Sequence, residues 1–329
     1  MADKLLVSFS PHVRDPLTTD KIMALVAFAL MPSVLVSVYV YGFYAVKTYL
    51  LAIIFCLGLE AVFLKLRKRP STLRDNSALV TSLLLAMNLP PSSPWWIILV
   101  GSFVAIVISK QVFGGLGQNP FNPALVGRVF LLIAWPAEMT SWIEPSTIKN
   151  GFFFDAISTA TPLGQIKSEI ISNGNILAME TLNTVDLFFG TVSGCLGGDS
   201  SFAVLVGGLF LIWKRIIKWH IPFVYIGTVF LLTAIYWVFF PEQSLDPVQH
   251  MFAGGLMLGA FFMATDYVTC PITVKGQIIF AFGCGLLTVV IRLFGGYPEG
   301  VAFSILIMNA VTPLIDSYMR PKSFGEARV

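Results

Sequence analysis

A run of small and hydroxyl-bearing residues, Asp155 to Leu163, could carry a covalent modification. It reads Asp-Ala-Ile-Ser-Thr-Ala-Thr-Pro-Leu, so Ser158 lies between the acid and the last threonine, Thr161. The small neighbour Ala160 would leave the Thr161 hydroxyl accessible to a modifying enzyme. The other interpretation is an ordinary turn before a proline, because Ser and Thr side chains hydrogen-bond nearby backbone and favour turns. The residues alone leave both interpretations open.

A loop rich in glycine and asparagine runs from Gly114 to Ala124 and leads into an apolar segment. Glycines let a backbone approach a flat ligand closely. The amides of Asn119 and Asn122 can hydrogen-bond an amide-rich ring, and the helix that begins here offers free N–H groups and the positive end of its dipole. The loop could therefore hold an isoalloxazine ring or its ribityl chain. The alternative is a tight re-entrant loop with asparagine caps.

Four ionisable residues are predicted to lie within or at the edge of apolar segments. They are Glu60, Arg128, Asp266 and Glu299. Such groups are costly in lipid and often functional. Carboxylates suit a hard cation, so the three acids are candidates for an ion path. Alternatively, Asp266 marks a polar membrane boundary, and Lys65 or Arg67 neutralises Glu60. Arg128 could stabilise a reduced flavin, form a structural ion pair, or extend to the membrane surface.

The composition predicts a membrane protein. Of 329 residues, 56% are apolar and 12% are charged, whereas soluble domains are about half apolar and about a quarter charged. The four cysteines and three histidines are scattered, which predicts neither a disulfide framework nor a metal site. The sequence has no Walker A loop, dinucleotide-binding fingerprint or H-E-x-x-H motif, so no catalytic side chain is predicted.

About ten segments are apolar enough to span a membrane fully or as half-spans. Five come first, at about 22–44, 49–65, 76–90, 95–112 and 121–136. Five more follow, at about 186–214, 221–240, 249–265, 276–294 and 299–317. The segment 76–90 is short and ends at Pro90-Pro91, as a half-span would, and 186–214 is predicted to break at Gly194–Gly198.

The domain boundaries follow from these segments. Residues 1–136 form a first five-span half, 137–185 a polar loop, and 186–329 a second five-span half. With the N-terminus inside, sixteen of the 21 basic residues are cytoplasmic and three are outside, while Arg128 and Arg292 lie within spans. Because cytoplasmic loops carry the positive excess, both termini are predicted to be cytoplasmic and the Thr161 loop to lie on the outer face.

The two halves are faintly similar to each other. Residues 78–90 can be aligned with 252–263, since each run is short, apolar and followed by a turn that contains proline. Five spans is an odd number, so a repeat of five would place the halves in opposite orientations. Inverted repeats with interrupted helices typically hold a ligand near the midplane. The predicted fold is an all-α polytopic membrane protein with two inverted five-helix halves and interrupted helices.

The segment Asp155–Thr161 resembles the flavinylation motif of the Rnf D and G subunits and of the B and C subunits of Na⁺-translocating NADH:quinone reductase. That pattern is roughly Asp-x-x-Ser/Thr-Gly-Ala-Thr, and Thr159 stands here where glycine is commonest. The resemblance implies that Thr161 carries FMN through a phosphoester bond and that Asp155 and Ser158 are recognition positions.

The stretch Gly117-x-Asn119-x-x-Asn122-Pro123-Ala124 is similar to the loop that holds a noncovalent riboflavin in the B/D family. This implies Asn119 and Asn122 as riboflavin ligands. Residues 10–14, Ser-Pro-His-Val-Arg, resemble the entry to the first span in the family. The longer N-terminal extension usual in the quinone-reductase B subunit is absent from the sequence, which favours the Rnf D subunit.

The resemblance implies a component of an ion-translocating ferredoxin:NAD⁺ oxidoreductase in a bacterial inner membrane. Electrons would pass through FMN and riboflavin, coupled to Na⁺ or H⁺ transport. The implied partners are the A, B, C, E and G subunits of the Rnf complex, which would carry the NADH chemistry and iron–sulfur clusters, and a flavin transferase; no nucleic acid is implied. The alternative is a channel or transporter for a small solute. That alternative accounts for interrupted helices but not for the Thr161 motif.

Overall fold

The computed structural model describes residues 17–145, 158–159, 161–173, 183–198, 200–297 and 299–319. The helices of these ranges are α1 (Thr19–Tyr41), α2 (Phe43–Leu66), α3 (Ser77–Met87), α4 (Trp95–Phe103), α5 (Pro123–Ala134), α6 (Pro136–Met139), α7 (Pro162–Asn173), α8 (Thr184–Phe189), α9 (Ser201–Trp213), α10 (His220–Phe239), α11 (Pro247–Phe252), α12 (Leu256–Leu258), α13 (Val274–Phe294) and α14 (Val301–Tyr318). Helix α4 continues as the π-helix Val104–Gln111, and α12 continues as the π-helix Gly259–Met263. Short 3-10 turns cover Leu73–Asp75 and Pro241–Gln243, and the strands β1 (Trp142–Ile143) and β2 (Ser158–Thr159) pair antiparallel.

Among the described residues, five helices are long and apolar enough to cross a membrane: α1, α2, α10, α13 and α14. Their mean hydropathy runs from 1.4 to 2.2. Shorter apolar helices are α3, α4 with its π-helical continuation, α5 and α9. Large apolar side chains such as Phe28, Leu35 and Phe239 are exposed on the outside of the bundle, as lipid contact requires. The chain is a polytopic membrane protein; the count of ten segments and the inverted halves stay predictions.

One interruption joins two nonhelical stretches from opposite halves of the sequence. Helix α3 ends at Met87, just before Pro90-Pro91, as the sequence predicts. The predicted break at Gly194–Gly198 is too narrow, because the chain is nonhelical from Gly190 to Gly198. The N–H of Gly197 donates to the carbonyl of Met87 at 2.8 Å, and that of Leu196 donates to Leu89 at 3.4 Å. These bonds satisfy backbone groups that lipid could not.

A second interruption separates α11 from α12. Gly254 has a φ of +69°, which is costly for residues other than glycine. Arg292 donates to the carbonyl of His250 at 2.6 Å and to that of Ala253 at 2.8 Å. On the other side of the break, the N–H of Gly255 donates to a carboxylate at 2.9 Å. Charged side chains therefore satisfy the backbone on both sides of this break.

Small residues allow close packing of the helices around these interruptions. Helix α1 packs against α9, and α10 packs against α13. A Cβ atom at Gly207 of α9 would overlap the carbonyl oxygen of Ala29 in α1, whereas a Cβ at Gly227 of α10 would have no heavy atom within 4 Å. Small interfacial residues of this kind let membrane helices approach closely.

Replacing Gly207 with alanine should therefore destabilise the protein, while Gly227→Ala serves as a matched control. Both changes raise helix propensity equally, but only Gly207→Ala forces α1 and α9 apart. We expect a loss of about 1–3 kcal/mol, the usual cost of overpacking, and a lower midpoint of thermal unfolding in detergent. Equal midpoints for the two variants would contradict the observed packing.

Candidate functional site

Thr161 lies where the polar loop region meets the helical bundle. It follows β2, which pairs with β1, and it directly precedes α7. The Thr161 hydroxyl oxygen accepts a hydrogen bond from the N–H of Gly164 at 3.1 Å, so it caps the first turn of α7. Of the two predicted recognition positions, Ser158 belongs to β2, and Asp155 lies outside the described residues.

Thr161 is half-buried and lines a cavity of about 380 Å³, which we call the Thr161 cavity. The cavity lies between the start of α7, the nonhelical stretch 192–198 and the break before α12. Its wall also includes Leu163, Leu187, Cys195, Phe252, Gly254 and Glu299. The hydroxyl singled out by the sequence therefore lies beside a cavity.

Glu299 carries the charge in the wall of the Thr161 cavity. Its Oε2 accepts from Nη2 of Arg128 at 2.8 Å, and its Oε1 accepts from the N–H of Gly255 at 2.9 Å. Arg128 is buried, and its Nη1 has no hydrogen-bond partner. The structural ion pair, one of the three interpretations of Arg128, is confirmed. The contact of Arg128 with a flavin stays a prediction. Arg128 does not line the cleft formed beside the loop of Asn119 and Asn122.

That cleft has a volume of about 770 Å³ and lies at the N-terminal ends of α1 and α3; we call it the asparagine cleft. The polar residues of its wall are Ser77, Thr81, Lys110, Asn119, Asn122, Thr265, Asp266 and Tyr267. Both π-helical segments contribute to it, the first through Lys110 and the second through Phe261 and Phe262. π-helical turns are rare and frequently occur at functional sites.

The two asparagines in the cleft have different structural roles. Asn122 caps α5, since its Oδ1 accepts from the N–H groups of Ala124 and Leu125 at 3.1 and 3.5 Å. Its Nδ2 donates to the carbonyl of Met263 at 3.4 Å. The Nδ2 of Asn119 donates to the carbonyl of Phe121, while its Oδ1 is buried without a partner. Asn119 therefore has an acceptor available for a ligand, and Asn122 does not.

Glu60 is buried and paired with Lys110, not with the predicted Lys65 or Arg67. The Nζ of Lys110 lies 2.9 and 3.1 Å from the two Glu60 oxygens and 2.6 Å from the Ser77 hydroxyl. Further hydrogen bonds to Glu60 come from Gln111 and Thr72. The sequence interpretation counted Lys110 among the sixteen cytoplasmic basic residues, at the end of the segment 95–112, and its side chain is buried. A π-helix changes which residues face inward, and the sequence carried no signal for that change.

The structure does not bring the three acids of the predicted ion path together. Glu60 pairs with Lys110 and does not itself line the asparagine cleft. Asp266 lines that cleft, and Glu299 lines the Thr161 cavity. Asp266 accepts hydrogen bonds from its own loop, from the N–H of Val268 at 3.4 Å and the hydroxyl of Thr269 at 3.3 Å. Among the described residues there is no cluster of three metal-ligating side chains. The ion path stays a prediction.

Comparison with known proteins gives whole-chain similarity to one family. Residues 6–325 match the model of the NQR2, RnfD, RnfE family. The chain is 48% identical to the D subunit of the Na⁺-translocating ferredoxin:NAD⁺ oxidoreductase complex of Acetobacterium woodii, covering 99% of this chain and 96% of that protein. It is 48% identical to the D subunit of the proton-translocating ferredoxin:NAD⁺ oxidoreductase complex of Clostridium ljungdahlii, covering 98% and 96%. It is 39% identical to the D subunit of the ion-translocating oxidoreductase complex of Escherichia coli, covering 98% and 99%.

Breaking the ion pair between Lys110 and Glu60 should destabilise the protein. Glu60→Met or Lys110→Met alone leaves a buried charge without its partner, which typically costs about 3–5 kcal/mol. The double variant removes both charges and should recover a large part of the loss. Thermal unfolding of the three variants in detergent measures this coupling. A double variant no more stable than the worse single variant would contradict the pairing.

Proposed function

The chain belongs to the NQR2, RnfD, RnfE family, and from that premise we propose that it is the D subunit of an ion-translocating ferredoxin:NAD⁺ oxidoreductase. In this proposal it relays electrons between partner subunits through a covalent FMN at Thr161 and a noncovalent riboflavin in the asparagine cleft. Its partners are the A, B, C, E and G subunits of the Rnf complex, and a flavin transferase attaches the FMN. The relatives named above as D subunits of such complexes support the role.

The observation that carries the proposal is the arrangement of the two cavities along one short helix. Gly254, just before α12, lines the Thr161 cavity. Phe261 and Phe262, at the far end of the π-helix that continues α12, line the asparagine cleft. Gly254 and Phe261 are seven positions apart, roughly 10 Å at about 1.5 Å per residue. Electron transfer falls steeply with distance, so two flavins at these positions would be well placed for a relay.

The chemistry at Thr161 fits a phosphoester. The hydroxyl oxygen is at the first turn of α7, a helix of 12 residues. A phosphoryl group on that oxygen would lie at the helix N-terminus, where free N–H groups and the helix dipole favour an anion. FMN supplies the electron-accepting ring, and the protein supplies position and electrostatics. Thr161 would anchor the group, and the Thr161 cavity would exclude water from part of it.

The asparagine cleft fits an uncharged, partly flat ligand. Most of its wall is apolar, with Leu84, Leu211, Phe261 and Phe262 among the lining residues. The buried Oδ1 of Asn119 lacks a partner, and such an atom is costly unless it accepts a hydrogen bond. A ring N–H or a ribityl hydroxyl would satisfy it. Asn122, by contrast, would act by holding the start of α5 against Met263.

The remaining features of the proposal concern the membrane and the ion. Both termini are cytoplasmic, the Thr161 loop lies on the outer face of the inner membrane, and ten segments form two inverted halves. Glu60, Asp266 and Glu299 contribute to the ion path. Relatives of equal identity to this chain are named for Na⁺ and for proton translocation, which keeps both cations in the proposal.

Covalent FMN can be tested by flavin fluorescence in a denaturing gel. The full chain is expressed with an active flavin transferase, and Thr161→Val is compared with wild type. We expect a fluorescent wild-type band and a dark Thr161→Val band, because valine lacks the hydroxyl that forms the ester. Thr191→Val is the control, since the exposed Thr191 hydroxyl should not affect the fluorescence. A dark wild-type band, with the transferase active on another substrate, would refute attachment and favour the solute transporter.

The riboflavin site is tested by comparing Asn119→Ala with Asn122→Ala in protein that also carries Thr161→Val. Loss of the Asn119 side chain should release noncovalent flavin with little change in thermal stability. Loss of Asn122 removes a helix cap, which typically costs about 1 kcal/mol, so that variant should also unfold at a lower temperature. Flavin extracted from the purified protein and quantified by fluorescence is the measurement. Unchanged flavin content in Asn119→Ala would rule out the proposed contact.

A further inference from the structure

A third cavity, of about 800 Å³, lies beside α7. It is enclosed by α7, by the C-terminal ends of α10 and α13, and by the segment from Gln243 to α11. Leu163 of α7 lines both this cavity and the Thr161 cavity. The polar and charged side chains of its wall are Lys167, Tyr236, Gln243, Ser244, His250 and Arg292. We call it the basic cavity.

The charge of the basic cavity is positive, and two of its nitrogen atoms have no partner. Arg292 uses its terminal nitrogens on backbone carbonyls, which leaves its Nε buried and unpaired. His250 bonds the hydroxyl of Ser244 through Nε2 at 3.1 Å, and its Nδ1 is buried and unpaired. Arg292 is 6% exposed and His250 is 4% exposed. No Asp or Glu is among the cavity's lining residues in the described part of the chain.

Lys167 is held at the same wall by the chain itself. Its Nζ donates to the carbonyl of Tyr297 at 2.9 Å and to that of Arg292 at 3.3 Å. Partial burial lowers the pKa of Lys167 from its ordinary value, because desolvation disfavours the charged form. An anion bound nearby would offset that cost. Helix α7, which begins just after Thr161, is thereby attached to the end of α13 and to the loop that follows it.

The rim of the basic cavity is apolar and exposed on the lipid side of the bundle. Tyr236 and Phe294 line the cavity and contact each other edge to face at 6.0 Å. Phe294 is 72% exposed, and the nearby Trp237, Phe239 and Phe240 are also exposed. Trp and Tyr side chains are enriched at the level of lipid headgroups, and Tyr236 lines this cavity with Trp237 next to it in the sequence. Below them, α10 and α13 present exposed apolar side chains such as Leu231, Ile235, Leu286 and Val290.

We propose that the basic cavity binds the phosphate-bearing headgroup of an acidic phospholipid, whose acyl chains lie along the apolar faces of α10 and α13. The headgroup is recognised by Lys167 and Arg292, and the exposed rim at Phe294 admits the chains. Lysine and arginine side chains near a bilayer surface attract acidic phospholipids. The bound lipid would hold α7, and with it Thr161, against the bundle. The inference does not depend on the flavins.

The test uses the purified full-length chain, delipidated in detergent and measured by native mass spectrometry. Phosphatidylglycerol is the probe, phosphatidylcholine is the neutral comparison, and inorganic phosphate tests for a site that takes only the anion. The variants are Lys167→Gln, Gln243→Glu and Gln243→Lys. Gln243 is exposed at the cavity mouth, so its replacement changes charge without removing a buried contact. Lys47→Gln is the matched control, since Lys47 is half-buried and also donates to a carbonyl, that of Ser93.

We expect preferential binding of phosphatidylglycerol, weakened roughly five-fold by Lys167→Gln and by Gln243→Glu, which corresponds to about 1 kcal/mol per basic residue near an acidic lipid. Gln243→Lys should strengthen binding, and Lys47→Gln should leave it unchanged. Equal binding of the two lipids would overturn the proposal, as would an equal effect of Lys47→Gln and Lys167→Gln. Binding of inorganic phosphate without phosphatidylglycerol would assign the cavity to a soluble anion and also overturn it.

Discussion

Every backbone N–H and C=O freed by an interrupted helix must find a partner within the protein, because lipid offers none. In the part of the chain that the structure describes, three stretches leave such groups free: the end of α3, the nonhelical segment from Gly190 to Gly198, and the break between α11 and α12. The first two satisfy each other through hydrogen bonds from Leu196 and Gly197. The third is satisfied by charged side chains. Residues that make these contacts also line the Thr161 cavity and the basic cavity.

The charges that complete the third interruption also form the walls of two cavities. Glu299 accepts the N–H of Gly255 and pairs with Arg128, and the same carboxylate lines the Thr161 cavity. Arg292 holds the carbonyls of His250 and Ala253 and lines the basic cavity. Removing either charge would therefore affect both the backbone and a cavity wall. Buried charges are costly, and here each of them has several partners that offset the cost.

The wall of the asparagine cleft is formed in part by π-helical turns. Two such turns, from the first and the second half of the chain, contribute Lys110 and the pair Phe261 and Phe262 to its wall. The second lies next to Asn122, which caps α5 and contacts the carbonyl of Met263. The cleft is thus assembled where the two halves meet. One short helix, α12 with its π-helical continuation, connects the cleft to the wall of the Thr161 cavity.

Local chemistry in the sequence was enough for several features. Low charge indicated a membrane protein, Pro90-Pro91 indicated the short α3, and the asparagine before Pro123 indicated a helix start with a cap. The Thr161 motif selected a residue that does lie beside a cavity. Each of these features depends on side chains within a few positions of one another, or on composition alone, so no knowledge of helix packing was needed.

Pairings between distant segments required the tertiary structure. The sequence offered Lys65 and Arg67 as partners of Glu60, yet the partner is Lys110, fifty positions away, because a π-helix turns that side chain inward. Arg128 and Glu299 are separated by 171 positions and meet because α5 and α14 pack together. The basic cavity had no sequence signal, since its residues come from separate helix ends. The sequence alone determined that the protein lies in a membrane, where its helices are interrupted, and that an asparagine caps α5. These features depend on composition or on residues close together in the chain. Only the tertiary structure decided which charges meet, because that depends on how the helices rotate and pack.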